Sequence, residues 1–143
     1  PSAGKGAIAS VVRSRGCDVI CVELLDENVD HLIKLGLRAA KGDFLGTSVD
    51  RLNPLGQFDR VVMNPPFSKG VGVDHVAHAF SFLRVGGILA SVLPAGVTFR
   101  EDNKHRAFRD FVASNGGTIE ALPDDSFAES GTNVRTIVVT IEK

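Results

Sequence analysis

Apolar positions change period along this chain, from three- and four-residue steps to alternation and back, and the changes mark out its elements. Ile8, Val11 and Val12 stand at helical spacing between Ala7 and Arg15, and Gly16 closes the segment. "CDVICVEL", residues 17–24, alternates like a strand, and "DENVDHLIKL", 26–35, puts Val29, Leu32 and Ile33 on one helical face with Gly36 as the stop. "LRAAKGD", 37–43, predicts a brief strand, and the Gly, Asn and Pro between Phe44 and Gln57 predict a surface connection with one helical turn. "FDRVVM", 58–63, is the next strand. Val73, Val76, Ala77, Phe80 and Leu83 mark a helix over 73–84, after which "VGG" turns the chain into "ILASVL". Phe108, Phe111 and Val112 form a stripe within 101–115 that Gly116 and Gly117 end, and "TIEAL" and "VRTIVVTIEK" follow as strands with no helix between them. This order predicts a doubly wound α/β sheet, mostly parallel, with a C-terminal antiparallel strand. There is no internal repeat.

Length and charge narrow the picture. The 143 residues, 43% apolar, suit one domain over 1–143 with a real core. Lys plus Arg number 16 against 17 Asp plus Glu, so a net charge of -1 excludes a general attraction to nucleic acid or anionic membrane. No window approaches the roughly 18 apolar residues of a membrane span, and "PSAGKGAIAS" lacks the order of a signal peptide, so the sequence reads as soluble and cytoplasmic. Cys17 and Cys21, four apart on a predicted strand, are expected to point to one side as two buried thiols, too distant to bond. No third or fourth ligand stands near them for a metal.

The chemistry begins at the glycine turn. Gly4, Gly6 and Ala9 fit G-x-G-x-x-G/A at the start of a helix, where glycines let backbone approach a ligand and the helix N-terminus faces the same crevice. Lys5 is followed by Gly6 rather than Ser or Thr, which excludes a P-loop. Glu23 ends the next strand, where a carboxylate can accept from both hydroxyls of a ribose or stand as a solvated strand-end charge. Asp43 ends the following strand and can accept from an adenine amino group or cap the loop it enters.

"NPPF", residues 64–67, leaves the carboxyl end of a further strand. The Asn64 amide oxygen and the Pro65 carbonyl can both accept from one exocyclic amino group, which draws its nitrogen toward tetrahedral geometry. Pro65 and Pro66 stiffen that backbone, and Phe67 offers a flat face for a base.

On "PSAGKG", Glu23, "GDF" at 42–44 and "NPPF", the chain resembles the class I S-adenosylmethionine-dependent methyltransferases, and within them the N6-adenine DNA methylases. "FAESGTNVRTIVVTIEK" is similar to the strand hairpin that closes such domains. The resemblance implies a Rossmann-like fold with Pro1, Ser2, Ala3, Gly4 and Gly6 at the methionine end of S-adenosyl-L-methionine, Glu23 at its ribose, and Asp43 with Phe44 at its adenine. It implies Asn64 and Pro65 at the target amine, held by Pro66, with Phe67 on the base. No general base is required, since the sulfonium is itself a strong methyl donor. The implied partner is a nucleic acid, with adenine N6 in DNA leading and guanine N2 or adenine in RNA, or a protein glutamine, as alternatives. An additional recognition domain or subunit belongs to the same expectation. The family also places a central strand just before the glycine turn, so the expectation is a domain whose first strand is missing from these residues.

Other polar groups are read more plainly. His75 and His78, three apart on a helix, could be two metal ligands but have no carboxylate or Cys placed to complete a site, so they, like His31 and His105, are expected at the surface or at helix flanks, and Arg100, Lys104, Arg106 and Arg109 on a solvated helix face. Lys69 is a candidate phosphate contact. A nicotinamide-dependent oxidoreductase would use the glycine turn and Glu23 but not residues 64–67, and a non-catalytic binding module on the same fold is the third reading.

Overall fold

A computed structural model of the chain describes residues 1–54, 56–123 and 134–143, with backbone alone at Lys69. The candidate phosphate contact at Lys69 and the first part of the predicted hairpin lie outside the described groups. Helix α1 spans Ala7–Ser14, strand β1 Ile20–Glu23, α2 Asp26–Lys34 and β2 Arg38–Lys41. A 3-10 turn at Phe44–Gly46 and the short helix α3, Val49–Leu52, fill the predicted connection to β3, Phe58–Met63. A second 3-10 turn, Ser68–Gly70, leads into α4, Val71–Ser81, and on to β4, Leu83–Pro94. A third turn, Ala95–Thr98, precedes α5, Asn103–Ser114, then β5, Thr118–Ala121, and β6, Thr136–Glu142.

The strands pair as the alternation predicts. β1 runs parallel to β2, and β3 parallel to β4. β6 returns antiparallel between β4 and β5, so the larger sheet has the order β3-β4-β6-β5. The two sheets share no ladder, yet one core joins them: Val22 of β1 belongs to the same buried cluster as Val61 and Met63 of β3, Leu89 and Leu93 of β4, and Phe108 and Val112 of α5. Because successive strand residues face opposite ways, neighbouring Cys21 enters a second cluster with Ala9, Leu32 and Leu37. Among the described residues no helix is long and apolar enough to cross a membrane.

Three expectations are corrected. Cys17 is exposed while Cys21 is buried, because β1 begins only at Ile20, where β2 first offers a partner at Arg38. On α1 the packed residue is Ala9, and Ile8 and Val11 stay 38% and 55% exposed, since the helix leans on the smaller cluster through its least bulky side chain. Finally, "VGG" is not a turn ahead of a strand but lies inside β4. Gly86 takes φ 73° there, and the register against β3 shifts between Phe58 and Arg60, which marks a bulge. A Cβ on Gly87 would meet the carbonyl oxygens of Arg84 at 2.8 Å and Asp59 at 3.2 Å, so backbone passes too close for any side chain.

That contact sets a test. Gly87→Ala is expected to destabilise the fold by about 1–3 kcal/mol through overpacking. Gly46→Ala, with no atom within 4 Å of the added carbon, is expected to be neutral or slightly stabilising. Urea unfolding of both variants against the parent checks the contrast.

Candidate functional site

The glycine turn is held in place by a carboxylate. Ser2, Gly4 and Gly6 have φ of 52°, 52° and 85°, so the chain coils tightly through the left-handed region. A Cβ on Gly6 would stand 2.8 Å from Leu32 Cδ2, and this is why glycine is needed where the turn sits on α2. The Gly4 N–H donates to Glu23 Oε2 at 2.7 Å, and Oε1 accepts from the N–H groups of Leu24 at 2.9 Å and Leu25 at 3.1 Å. Burial opposes the charge on Glu23, but the donors from Leu25, Gly4 and Leu24 and the Asn28 side chain outweigh it and hold the carboxyl below the ordinary glutamate range.

The end of β2 forms the next wall. Asp43 Oδ1 accepts from the Leu45 N–H at 3.0 Å, and Thr47 Oγ1 donates to the Asp43 carbonyl at 2.8 Å, so this carboxylate does cap the turn it opens. Phe44 turns its ring into the core at 4% exposure, with centroids 4.9 Å from His78, 5.1 Å from Phe82 and 5.7 Å from His75. The 3-10 turn is thereby docked on α4.

The corner after β3 is the third wall. Among the described residues no group donates to the buried Asn64 Oδ1, an expensive state for an amide oxygen. Pro65 is fully buried beneath it. A Cβ on Gly72 in the first turn of α4 would lie 2.7 Å from Leu93 Cδ2 and 3.4 Å from Pro65 Cγ, so helix and corner are in direct contact.

These walls enclose a cleft of about 730 Å³ at the carboxyl ends of β1, β2 and β3, within the range that takes small ligands. It brings together Ser2, Gly4, Glu23, Asp43, Phe44, Asn64, Pro65, Pro66 and Phe67 from the sequence expectation. Pro1, Ala3 and Gly6 do not line it. Ala3 instead ties the turn to β1, its N–H donating to the Val22 carbonyl at 3.2 Å and its own carbonyl accepting from Gly6 at 2.9 Å.

Gly42 lines the cleft as part of the quoted "GDF", and the sequence reasoning missed Val22, Leu24, Leu25, Leu45, Ser68, Val71 and His75. His75 is not at a helix flank: it is 6% exposed, its Nδ1 has no partner among the described residues, and burial lowers its pKa against the opposing pull of Asp43 and Asp74. His105 is also buried, with Nδ1 against both Asp102 oxygens at 2.8 and 2.7 Å, while His78 Nε2 meets the Thr47 carbonyl at 2.9 Å. The basic stretch is solvated as expected, with Arg100, Lys104 and Arg106 exposed, Arg109 half-buried, and several of its cations paired at the surface. Lys104 pairs with Asp74, Arg106 with Glu101, and Arg109 donates to the carbonyls of Val97 and Arg100. Among the described residues no group of three His, Cys, Asp or Glu is placed to hold a metal.

Two outcomes follow from this geometry. Replacing Glu23 with Gln puts an amide N–H2 against backbone donors and is expected to cost about 1–3 kcal/mol at neutral pH. Since the native carboxyl pKa is depressed, its stabilisation is present above the ordinary glutamate value and is lost as pH falls through the native one. Thermal unfolding curves of parent and Glu23→Gln should therefore converge in acid. Gly72→Ala, which in an open helix would stabilise by roughly 0.5–1 kcal/mol, is expected to destabilise here and to disturb ligand binding in the cleft, read by denaturation and calorimetry together.

A family model described as a methyltransferase small domain matches residues 2–114. No curated protein matches the sequence. Among solved structures, the chain is similar to the methyltransferase subunit of a type I restriction-modification system from Streptococcus thermophilus, with TM-score 0.76, 23% identity, and coverage of 99% of this chain and 38% of that one. It is similar to an rRNA methylase from the same organism, with TM-score 0.63, 16% identity, and coverage of 99% and 82%. The M protein of the type I restriction enzyme EcoKI gives TM-score 0.70, 21% identity, and coverage of 100% and 38%. At these identities the likeness is one of fold, and the chain spans well under half of the two restriction-system subunits.

Proposed function

The chain belongs to the methyltransferase small domain family, and from that premise we propose that it transfers a methyl group from S-adenosylmethionine to an exocyclic amino group of a nucleic acid base, adenine N6 in DNA being the leading target. The observation that carries the reading is the buried, donor-less Oδ1 of Asn64 at the rim of a nucleoside-sized cleft. An acceptor left in that state gains most when a ligand brings an N–H to it.

The residues present fit the cofactor. Beyond its chain neighbours, no atom of the described residues lies within 4 Å of where a Cβ on Gly4 would stand, which leaves room beside the turn for the methionine end. Glu23 keeps its charge at the end of β1 for a ribose, and Asp43 stands at the end of β2 on the adenine side. When bound, S-adenosylmethionine supplies an electrophilic methyl carbon on a sulfonium centre. Asn64 Oδ1 and the Pro65 carbonyl accept from the target amine and localise its lone pair for attack. Phe67, half-buried at the mouth of the cleft, offers its face to the base. Transfer would break the methyl–sulfur bond as the N–C bond forms, leave a neutral thioether (S-adenosylhomocysteine) and release the amine's proton to solvent, so no side chain would have to act as a base.

Asn64→Ala is expected to abolish transfer, a loss of two orders of magnitude or more, while cofactor affinity changes little. Labelled S-adenosylmethionine, incubated with the full-length protein and separated DNA, RNA and protein pools, checks the assignment. Label at adenine N6 of DNA supports it. Label on RNA or on protein glutamine moves the target to that pool, and cofactor binding without label in any pool makes the domain a binding module. An Asn64→Ala protein with full activity would sink the amine-holding role.

A further inference from the structure

Three histidines of this chain are at least partly buried, and they differ in one respect. His78 and His105 each place a ring nitrogen on a protein oxygen, at 2.9 Å and 2.7 Å, as a structural histidine does. His75 is as deeply buried as His105, at 6% against 5% exposure, yet its Nδ1 has no partner among the described residues. It also lines the cleft, which neither of the others does.

We propose that His75 is a cofactor-positioning residue that hydrogen-bonds the nucleobase edge of the nucleoside held in the cleft. The inference rests on the reading of that cleft as the S-adenosylmethionine site. Location is the first argument. His75 packs at 5.7 Å on Phe44 and lines the same wall as Asp43 and Phe44, the residues at the end of β2 on the adenine side. Val71, one turn earlier on α4, lines the cleft as well, so this face of the helix is the inner wall of the site. Chemistry is the second argument. Burial favours the uncharged ring, against the pull of Asp43 and Asp74 and with that of His78. A neutral imidazole carries one donor and one acceptor, and the edge of adenine likewise presents an amino donor beside ring-nitrogen acceptors. The tilted contact with Phe44 is one that aromatic rings in general make, so it does not by itself call for an imidazole.

Calorimetry with S-adenosylhomocysteine and with its hypoxanthine counterpart, which differs only at the base edge, tests the proposal on the parent, His75→Phe and His75→Asn proteins. The parent should prefer the adenine form. His75→Phe should bind it about five- to tenfold more weakly and lose most of the preference, and His75→Asn, whose amide reaches the Nδ1 position, should recover part of both. Equal weakening toward both ligands, or an unchanged preference, overturns the role, since a packing defect would not distinguish the bases. A variant-free measurement guards against misfolding. The imidazole nitrogen resonances of His75 should shift when S-adenosylhomocysteine is added to the ¹⁵N-histidine-labelled parent, and unshifted resonances at saturation overturn the proposal. A parent protein that binds neither ligand overturns the reading of the cleft itself, which separates that failure from failure of the histidine.

Discussion

One carboxylate ties the glycine turn and the start of α2 to the end of β1, and so fixes one side of the cleft. Glu23 accepts from Gly4 in the glycine turn and from Leu24 and Leu25 at the start of α2, while its own strand pairs with β2. A tight turn with three residues at positive φ has no ladder of its own, so its position depends on such outside anchors. The Gly4 N–H and the Ala3 N–H both end on β1, and Gly6 rests on Leu32. A carboxylate has about four lone-pair positions, and backbone donors already hold three of Glu23's, with Asn28 drawing on the fourth. A diol bound there, as proposed, would share that carboxylate with the groups that shape the turn, so binding and local order would be coupled through the same two oxygens.

The opposite wall is fixed by packing rather than by charge. Pro65 is fully buried, Gly72 lets α4 come down directly on it, and Leu93 of β4 closes the contact from the other side. The cluster of Phe44, His75, His78 and Phe82 then joins the turn after β2 to the same helix. Helix α4 thus supports both the corner that carries Asn64 and the turn that carries Asp43. A change on this helix reaches both ends of the cleft, which is why a single added methyl group at Gly72 is expected to be felt in binding as well as in stability.

Periodicity made the order of strands and helices legible, because burial on one face imposes it on the sequence. It failed where burial was decided by something other than period. Cys17 alternates with Val19 and Cys21, but a strand needs a partner, and β2 supplies one only from Arg38 onward. "VGG" carries turn residues, yet its glycines serve a bulge inside β4. The two misread histidines are the instructive case. His75 stands between Gly72 and Ala79 at steps of three and four, with Val76 beside it, and His105 stands three before Phe108 and seven before Val112. Both lie on the apolar stripe of their helix, and the pattern would have placed them inward had histidine been allowed an interior position. Most of the cleft, from Glu23 through Asn64 to Phe67, was readable because strand ends and stiff corners have strong local signatures. Its apolar lining, Val22, Leu24, Leu25 and Val71, was not, since those side chains look like any core or surface position until the walls are assembled.

The charge distribution bears on how such a site meets its substrate. Many of the described cations are engaged by carboxylates: Arg38 with Asp18, Lys41 with Asp26, Arg84 with Asp59, Lys104 with Asp74, and Arg106 with Glu101. Pairs of this kind on an exposed surface add little stability, about 0–1 kcal/mol each, but they do flatten the field. A flattened field gives no long-range pull on a polyanion, so these residues would act on a base by local fit: two acceptors for an amine, an aromatic face and a walled cleft. Discrimination would then sit with the amine and its ring rather than with phosphates, and the salt dependence of substrate binding by these residues alone should be shallow, in contrast to the steep slopes of proteins that hold nucleic acid through many Lys and Arg contacts.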